Sequence, residues 1–205
     1  MLSEQPQFYS HAAMEPDGTA KVKRMSNEGF QAKAHRVVGE FILSMGKTEF
    51  AMDEFLWTTS NVFPDHLETA NYNGHKFTAK PPTSINGKIA LVKHFHAKIE
   101  PLQTLRDKNG LIDIDEWMTD FKALYEFRNK VAHGNVDSII NKDGNISLRA
   151  HKYPARKPWK VSSYMIDIRG IDLATTELIY HRSAFRRATE LVTMAMIEKH
   201  HDRKS

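Results

Sequence analysis

The sequence predicts a mainly α protein, a helical bundle of four to five helices with a β-hairpin inserted before the last helix. Three observations carry that expectation. Apolar residues recur at spacings of three and four through several long stretches, which marks one face of an α-helix. Two runs of strand-forming residues, Asn145–Lys152 and Trp159–Ile168, flank a proline-containing loop. A chain of 205 residues fits one domain with a well-buried core.

At the N-terminus, residues 1–30 are polar, contain Pro6, Pro16 and Gly18 and show no sustained period, so they read as a flexible arm. The helical domain spans 31–200, and 201–205 form a charged tail. From about Ala34 the row Val37, Val38, Phe41, Ile42, Met45, Phe50, Met52, Phe55, Leu56 predicts one long helix to about Ser60, or two in series about Gly46. Asn61 to about Ser84 is a connector punctuated by Pro64, Gly74, Pro81 and Pro82. A second helix runs from about Asn86 to Leu105 on Ile89, Val92, Phe95, Ile99 and Leu102, and Pro101 kinks or ends it. Asp107–Gly110 is a turn. The third helix starts near Asp113 or Asp115, either of which can cap it, and stops at Gly134, a residue favoured just past a helix end. The hairpin occupies 145–168, and the last helix runs from about Leu173 to His200.

Composition excludes several classes of chemistry. There is no cysteine, which removes disulfides, thiolate catalysis and cysteine-ligated metal and permits a cytoplasmic location. No apolar run approaches the roughly 20 residues that span a bilayer, so no membrane partner is expected, and the N-terminus lacks the pattern of a secretory signal. Basic side chains number 29 against 25 acidic, for a net charge of +4. Five of the basic ones, Arg149, Lys152, Arg156, Lys157 and Lys160, fall in the stretch RAHKYPARKPWK, which holds no acid. With Tyr153 and Trp159 interleaved, that stretch suits an RNA-binding surface whose cations hold phosphates while rings stack on unpaired bases. A solvated hairpin with Trp159 turned inward is the competing reading.

The third helix carries the feature with the most chemistry. Trp117, Phe121, Leu124, Arg128 and Val131 form one stripe, and Arg128 stands where the pattern asks for leucine. A buried guanidinium needs an anion, either a carboxylate of the chain, such as Glu49 or Glu54, or a ligand. On the adjoining stripe lie Met118, Tyr125, Asn129 and His133. Asn129 and His133 are four apart and share a face, while the long stem of Arg128 can curl towards the same space. An imidazole titrates near neutrality, so it can take a proton from a ribose 2′-hydroxyl or deliver one to a leaving oxygen. A guanidinium grips phosphate through two hydrogen bonds and stabilises transition-state charge. An amide can orient the ring. That set needs no metal and no cofactor. The spacing Arg-x4-His is common by chance in a chain with this many arginines and histidines, and His133 can equally complement the helix C-terminus.

The stretch EFRNKVAHG resembles the signature of the HEPN superfamily: an arginine, a polar residue, three others, then histidine and often glycine. Here these are Arg128, Asn129, Lys130-Val131-Ala132, His133 and Gly134. The helix FILSMGKTEFAMDEF, with Glu49 in its middle, and the order of helices are similar too. The likeness covers about 35 to 200, and only the nine-residue motif is specific. The resemblance implies catalytic Arg128, Asn129 and His133 with Glu49 and Tyr125 in support, and a homodimer whose two motifs meet in one composite active site. It also implies metal-independent RNA cleavage, often as a toxin or antiviral-defence effector with an antitoxin or regulatory protein. The hairpin departs from the family's plain helical core. The alternatives are a non-catalytic HEPN module that binds RNA or a nucleotide with a partner protein, and a structural protein whose Arg–His motif is a core feature.

Other constellations carry less. Asp107-x-Asn109-Gly110-x-Ile112-Asp113-x-x-Glu116 nearly fits a calcium loop, but Leu105 occupies the first ligand position, so it reads as a turn with capping acids. His94 and His96 point about 200° apart on a helix and cannot share an ion with good geometry. His200 and His201 face solvent in the tail. No metal site is assigned.

Overall fold

A computed structural model describes residues 12–14, 20–22, 27–72, 75–76, 81–107, 110–142, 145–152 and 162–202. Two short strands, β1 (Ala12–Met14) and β2 (Ala20–Val22), pair antiparallel ahead of α1 (Asn27–Val62). α1 is one uninterrupted helix of 36 residues, which resolves the choice between one and two. It begins seven residues before the apolar period does, because its first turns are polar. The connector holds a short helix, α2 (Pro64–Thr69), and two paired two-residue strands, β3 (Asn71–Tyr72) and β4 (His75–Lys76). The Ser84 side chain accepts from the Gly87 amide and starts α3 (Ile85–Lys98). That helix ends short of Pro101, and α4 (Glu100–Gln103) comes next.

β5 (Arg106–Asp107) and β6 (Gly110–Leu111) pair across the expected turn, with Gly110 at φ 127°. α5 (Ile114–His133) is capped by Asp113, whose Oδ1 accepts from the amides of Asp115 and Glu116. Then come β7 (Asn135–Lys142), β8 (Asn145–Lys152), β9 (Ser162–Asp167) and α6 (Ile168–Asp202). The hairpin before the last helix is β8–β9, and β7 extends it to an antiparallel sheet in the order β7-β8-β9. The expected elements omit β7 because its hydrophobic alternation is weak. A usable signal is present in Asp143-Gly144, a dipeptide favoured between hairpin strands. α6 starts five residues earlier than its apolar period, directly off β9.

Contacts divide the chain into two compact units, one comprising Met1–Leu43 with Phe127–Thr175 and the other Ser44–Glu126 with Thr176–Ser205. The sheet belongs to the first unit. Ile146, Leu148 and Ala150 of β8 are buried on one face while Arg149 is exposed, the period of two that a half-covered strand requires. They share that unit's core with Val37, Phe41, Val131, Ile166, Ile168 and Ile171, and the rings of Phe41 and Phe127 meet at 5.4 Å.

Among the described residues the second unit is helical apart from the two-residue strands. Phe185 of α6 is its hub, with ring centroids 4.7 Å from Trp117, 5.6 Å from Phe121 and 6.3 Å from Phe55. The buried Thr48 hydroxyl donates to the Leu178 carbonyl at 3.0 Å, and Lys88 pairs with Asp53. Among the described residues no helix is long and apolar enough to cross a membrane.

Candidate functional site

The last two turns of α5 lie in the sheet-bearing unit. On their inner side Phe127 meets Phe41 and Val131 is buried, and Arg128, one residue past Phe127, stands at the edge of that covered face. It is half-buried rather than buried, which lowers the desolvation cost that leucine-like placement would impose. Its Nη1 donates to Oδ1 of Asn129 at 3.0 Å. That bond fixes one edge of the guanidinium, a group whose fork of N–H donors suits phosphate oxygens. Asn129 is half-buried as well, and His133, four residues on and the last residue of the helix, is exposed.

The C-terminal end of α5 is held in place by the sheet. The final carbonyls of a helix have no partner within it. The hydroxyl of Tyr164, on β9, donates to the Lys130 carbonyl at 2.7 Å. Burial pushes that phenol above its ordinary range, so it stays protonated and donating. Gly134 does not adopt the left-handed conformation expected of a glycine helix stop. It is there for close approach: a Cβ would lie 2.6 Å from Tyr164 Oη, 2.7 Å from the Lys130 carbonyl oxygen and 3.0 Å from Ala150 Cβ. Sequence reasoning placed Tyr164 on a strand and missed this role, since nothing in the chain's local pattern ties position 164 to position 130.

The structure thus brings Arg128 and Asn129 together and leaves His133 open to solvent beside them in sequence. The expected supporting residues Glu49 and Tyr125 are both half-buried and belong to the other unit. Of the basic stretch, Arg149 is exposed on the outer face of β8, between Ser138 of β7 and Met165 of β9. His151 lies on the same face and shares a 2.8 Å hydrogen bond between its Nδ1 and Ser163 Oγ. Lys152 ends β8 opposite Ser162. Tyr153, Arg156, Lys157, Trp159 and Lys160 lie outside the described residues. In the calcium-like stretch Asp113 is committed to the two amides it caps, and those bonds hold its carboxyl below its ordinary range. Near α3, His94 Nε2 meets the His66 carbonyl at 2.9 Å, and burial lowers the pKa of both His94 and His96. No cluster of three or more His, Asp or Glu able to hold a metal ion occurs among the described residues.

Compared with family models, with curated proteins and with solved structures, the chain shows no match.

Proposed function

We propose that this protein is a metal-independent endoribonuclease of the HEPN type, with Arg128, Asn129 and His133 as its catalytic group. The observation that supports the reading is the end of α5. A guanidinium held by a neighbouring amide and an exposed imidazole one helical turn on stand in the order Arg-polar-x3-His-Gly. In this reading His133 takes the proton of a ribose 2′-hydroxyl. The 2′-oxygen forms a bond to phosphorus, the bond from phosphorus to the 5′-oxygen breaks, and that oxygen leaves as a hydroxyl after taking a proton from an imidazolium. Arg128 binds the non-bridging oxygens as charge builds on them. The resemblance adds a homodimer with a composite site, and a role as a toxin or defence effector. Arg149 and the basic residues after it then hold the RNA.

The test is cleavage of RNA by the purified chain in excess chelator. The expected products end in a 2′,3′-cyclic phosphate and a 5′-hydroxyl, and DNA of the same sequence stays intact because it lacks the attacking group. Cleavage that requires added magnesium, or that accepts DNA, overturns the mechanism. Salt-dependent RNA binding without cleavage leaves the non-catalytic alternative.

A further inference from the structure

One face of α1 shows solvent a row that the packing of the described residues does not use. Phe50 is 70% exposed and Trp57 is 59% exposed, seven residues apart on the side of the helix opposite the buried Thr48, Met52 and Phe55. Gly46 lies on the same exposed face, four residues before Phe50. Glycine inside a helix is less favourable than alanine by about 1 kcal/mol. Among the described residues nothing lies within 4 Å of where a Gly46 Cβ would stand, so none of them calls for glycine there. The face therefore has a gap at one end and a large ring at the other. Its charge reverses in the same sense, with exposed Lys47 before Phe50 and exposed Glu54 after it.

We infer that the face from Gly46 to Trp57 pairs with the same face of a second copy of this chain, antiparallel, about a two-fold axis between Phe50 and Asp53. A row with this spacing in an antiparallel helix pair sets first-position residues against fourth-position residues. Trp57 then covers Gly46 of the second copy, Phe50 lies against the stem of its Asp53, and Lys47 comes beside its Glu54. Asp53 brings no unbalanced charge into the contact, because Lys88 of its own chain already pairs with it. A two-fold axis satisfies the shape match and the charge match twice each. A parallel pair would instead set Trp57 on Trp57 and Gly46 on Gly46. Three turns of helix cover less than the roughly 1,600 Å² of a standard interface, so the dimer is weak and dissociates on dilution. The inference stands on α1 alone and holds whether or not the protein cleaves RNA.

Sedimentation velocity of the full chain, from low micromolar to several hundred micromolar, tests it. Wild type shifts reversibly from monomer to dimer. Phe50→Glu and Trp57→Glu each weaken the dimer by about ten-fold or more, as central anchors do. Lys47→Glu and Glu54→Lys each weaken it, and the two combined restore it, because the pair is then merely exchanged. All four positions are exposed, and circular dichroism melts verify that the variants fold. A chain monomeric throughout, a dimer indifferent to Phe50→Glu and Trp57→Glu, or a double charge exchange no better than the single changes overturns the inference. A monomer that cleaves RNA overturns this inference, and it leaves the cleavage chemistry of Arg128 and His133 without the composite two-copy site. A dimer with the expected variant pattern and no cleavage upholds this inference and overturns the ribonuclease reading.

Discussion

Arg128 and His133 differ in what the fold asks of them, and that difference makes them separable by experiment. His133 is exposed at the end of α5, and an exposed residue away from special features changes stability by about 0.5 kcal/mol or less. His133→Ala therefore melts near wild type while RNA cleavage falls by about a hundred-fold or more, the contribution of a general acid or base. Arg128 is half-buried and donates to Asn129, so Arg128→Ala costs about 1 kcal/mol as well as cleavage. Cleavage retained in His133→Ala removes the imidazole from the mechanism. At this scale the sequence is informative where chemistry is local. An arginine on an apolar stripe, with an amide beside it, is evident from spacing alone. The sequence could not show how far Arg128 is covered, because that depends on how the end of α5 packs in the folded chain. Nor could it show that Gly134 answers to Tyr164 and Ala150 rather than to a helix-stop conformation.

α5 carries the candidate site and is secured at both ends by contacts that can be removed one at a time. Asp113→Ala strips the acceptor from two first-turn amides and lowers the melting temperature by about 2–4 °C, the usual effect of losing a cap. At the other end Gly134→Ala drives a methyl into the Lys130 carbonyl and the Tyr164 hydroxyl, at a cost on the order of 1–3 kcal/mol. Because that strain falls one residue past His133, Gly134→Ala also depresses cleavage, whereas Asp113→Ala, 20 residues before His133, leaves it near wild type. Paired melts and cleavage rates check both. Equal loss of cleavage in the two variants would mean that general destabilisation, not the geometry at His133, governs the rate. Long amphipathic elements such as α1, α5 and α6 are legible because their period repeats over many turns. The six-residue α2 and the strand β7 are not, since one offers barely more than a turn and the other lacks a clean alternation.

The whole molecule's response to acid turns on a residue that the site does not use. His181 is 2% exposed, stacked on Trp117 at 6.0 Å and 5.5 Å from Phe121, and its Nδ1 has no hydrogen-bond partner among the described residues. Burial pushes its pKa down to about 4 from an ordinary 6.5. Between those values the unfolded chain binds a proton that the folded chain refuses, so stability rises with pH across the window. In the acid direction, stability is lost as pH falls below about 6.5 and the loss levels off near 4. The buried shifts of His94 and His96 act in the same direction, while the lowered carboxyl of Asp113 matters only below its ordinary 3.8. At 1.36 kcal/mol per pKa unit, His181 accounts for up to about 3 kcal/mol. His181→Phe keeps a ring between Trp117 and Phe121 and removes the titration. Urea unfolding at pH 7 and pH 4.5 then shows a smaller difference than wild type by at least about 1 kcal/mol. At pH 7 the variant is as stable as wild type or more so, because it no longer buries an unpartnered nitrogen. An unchanged difference between the two pH values would assign the acid sensitivity to the remaining histidines instead.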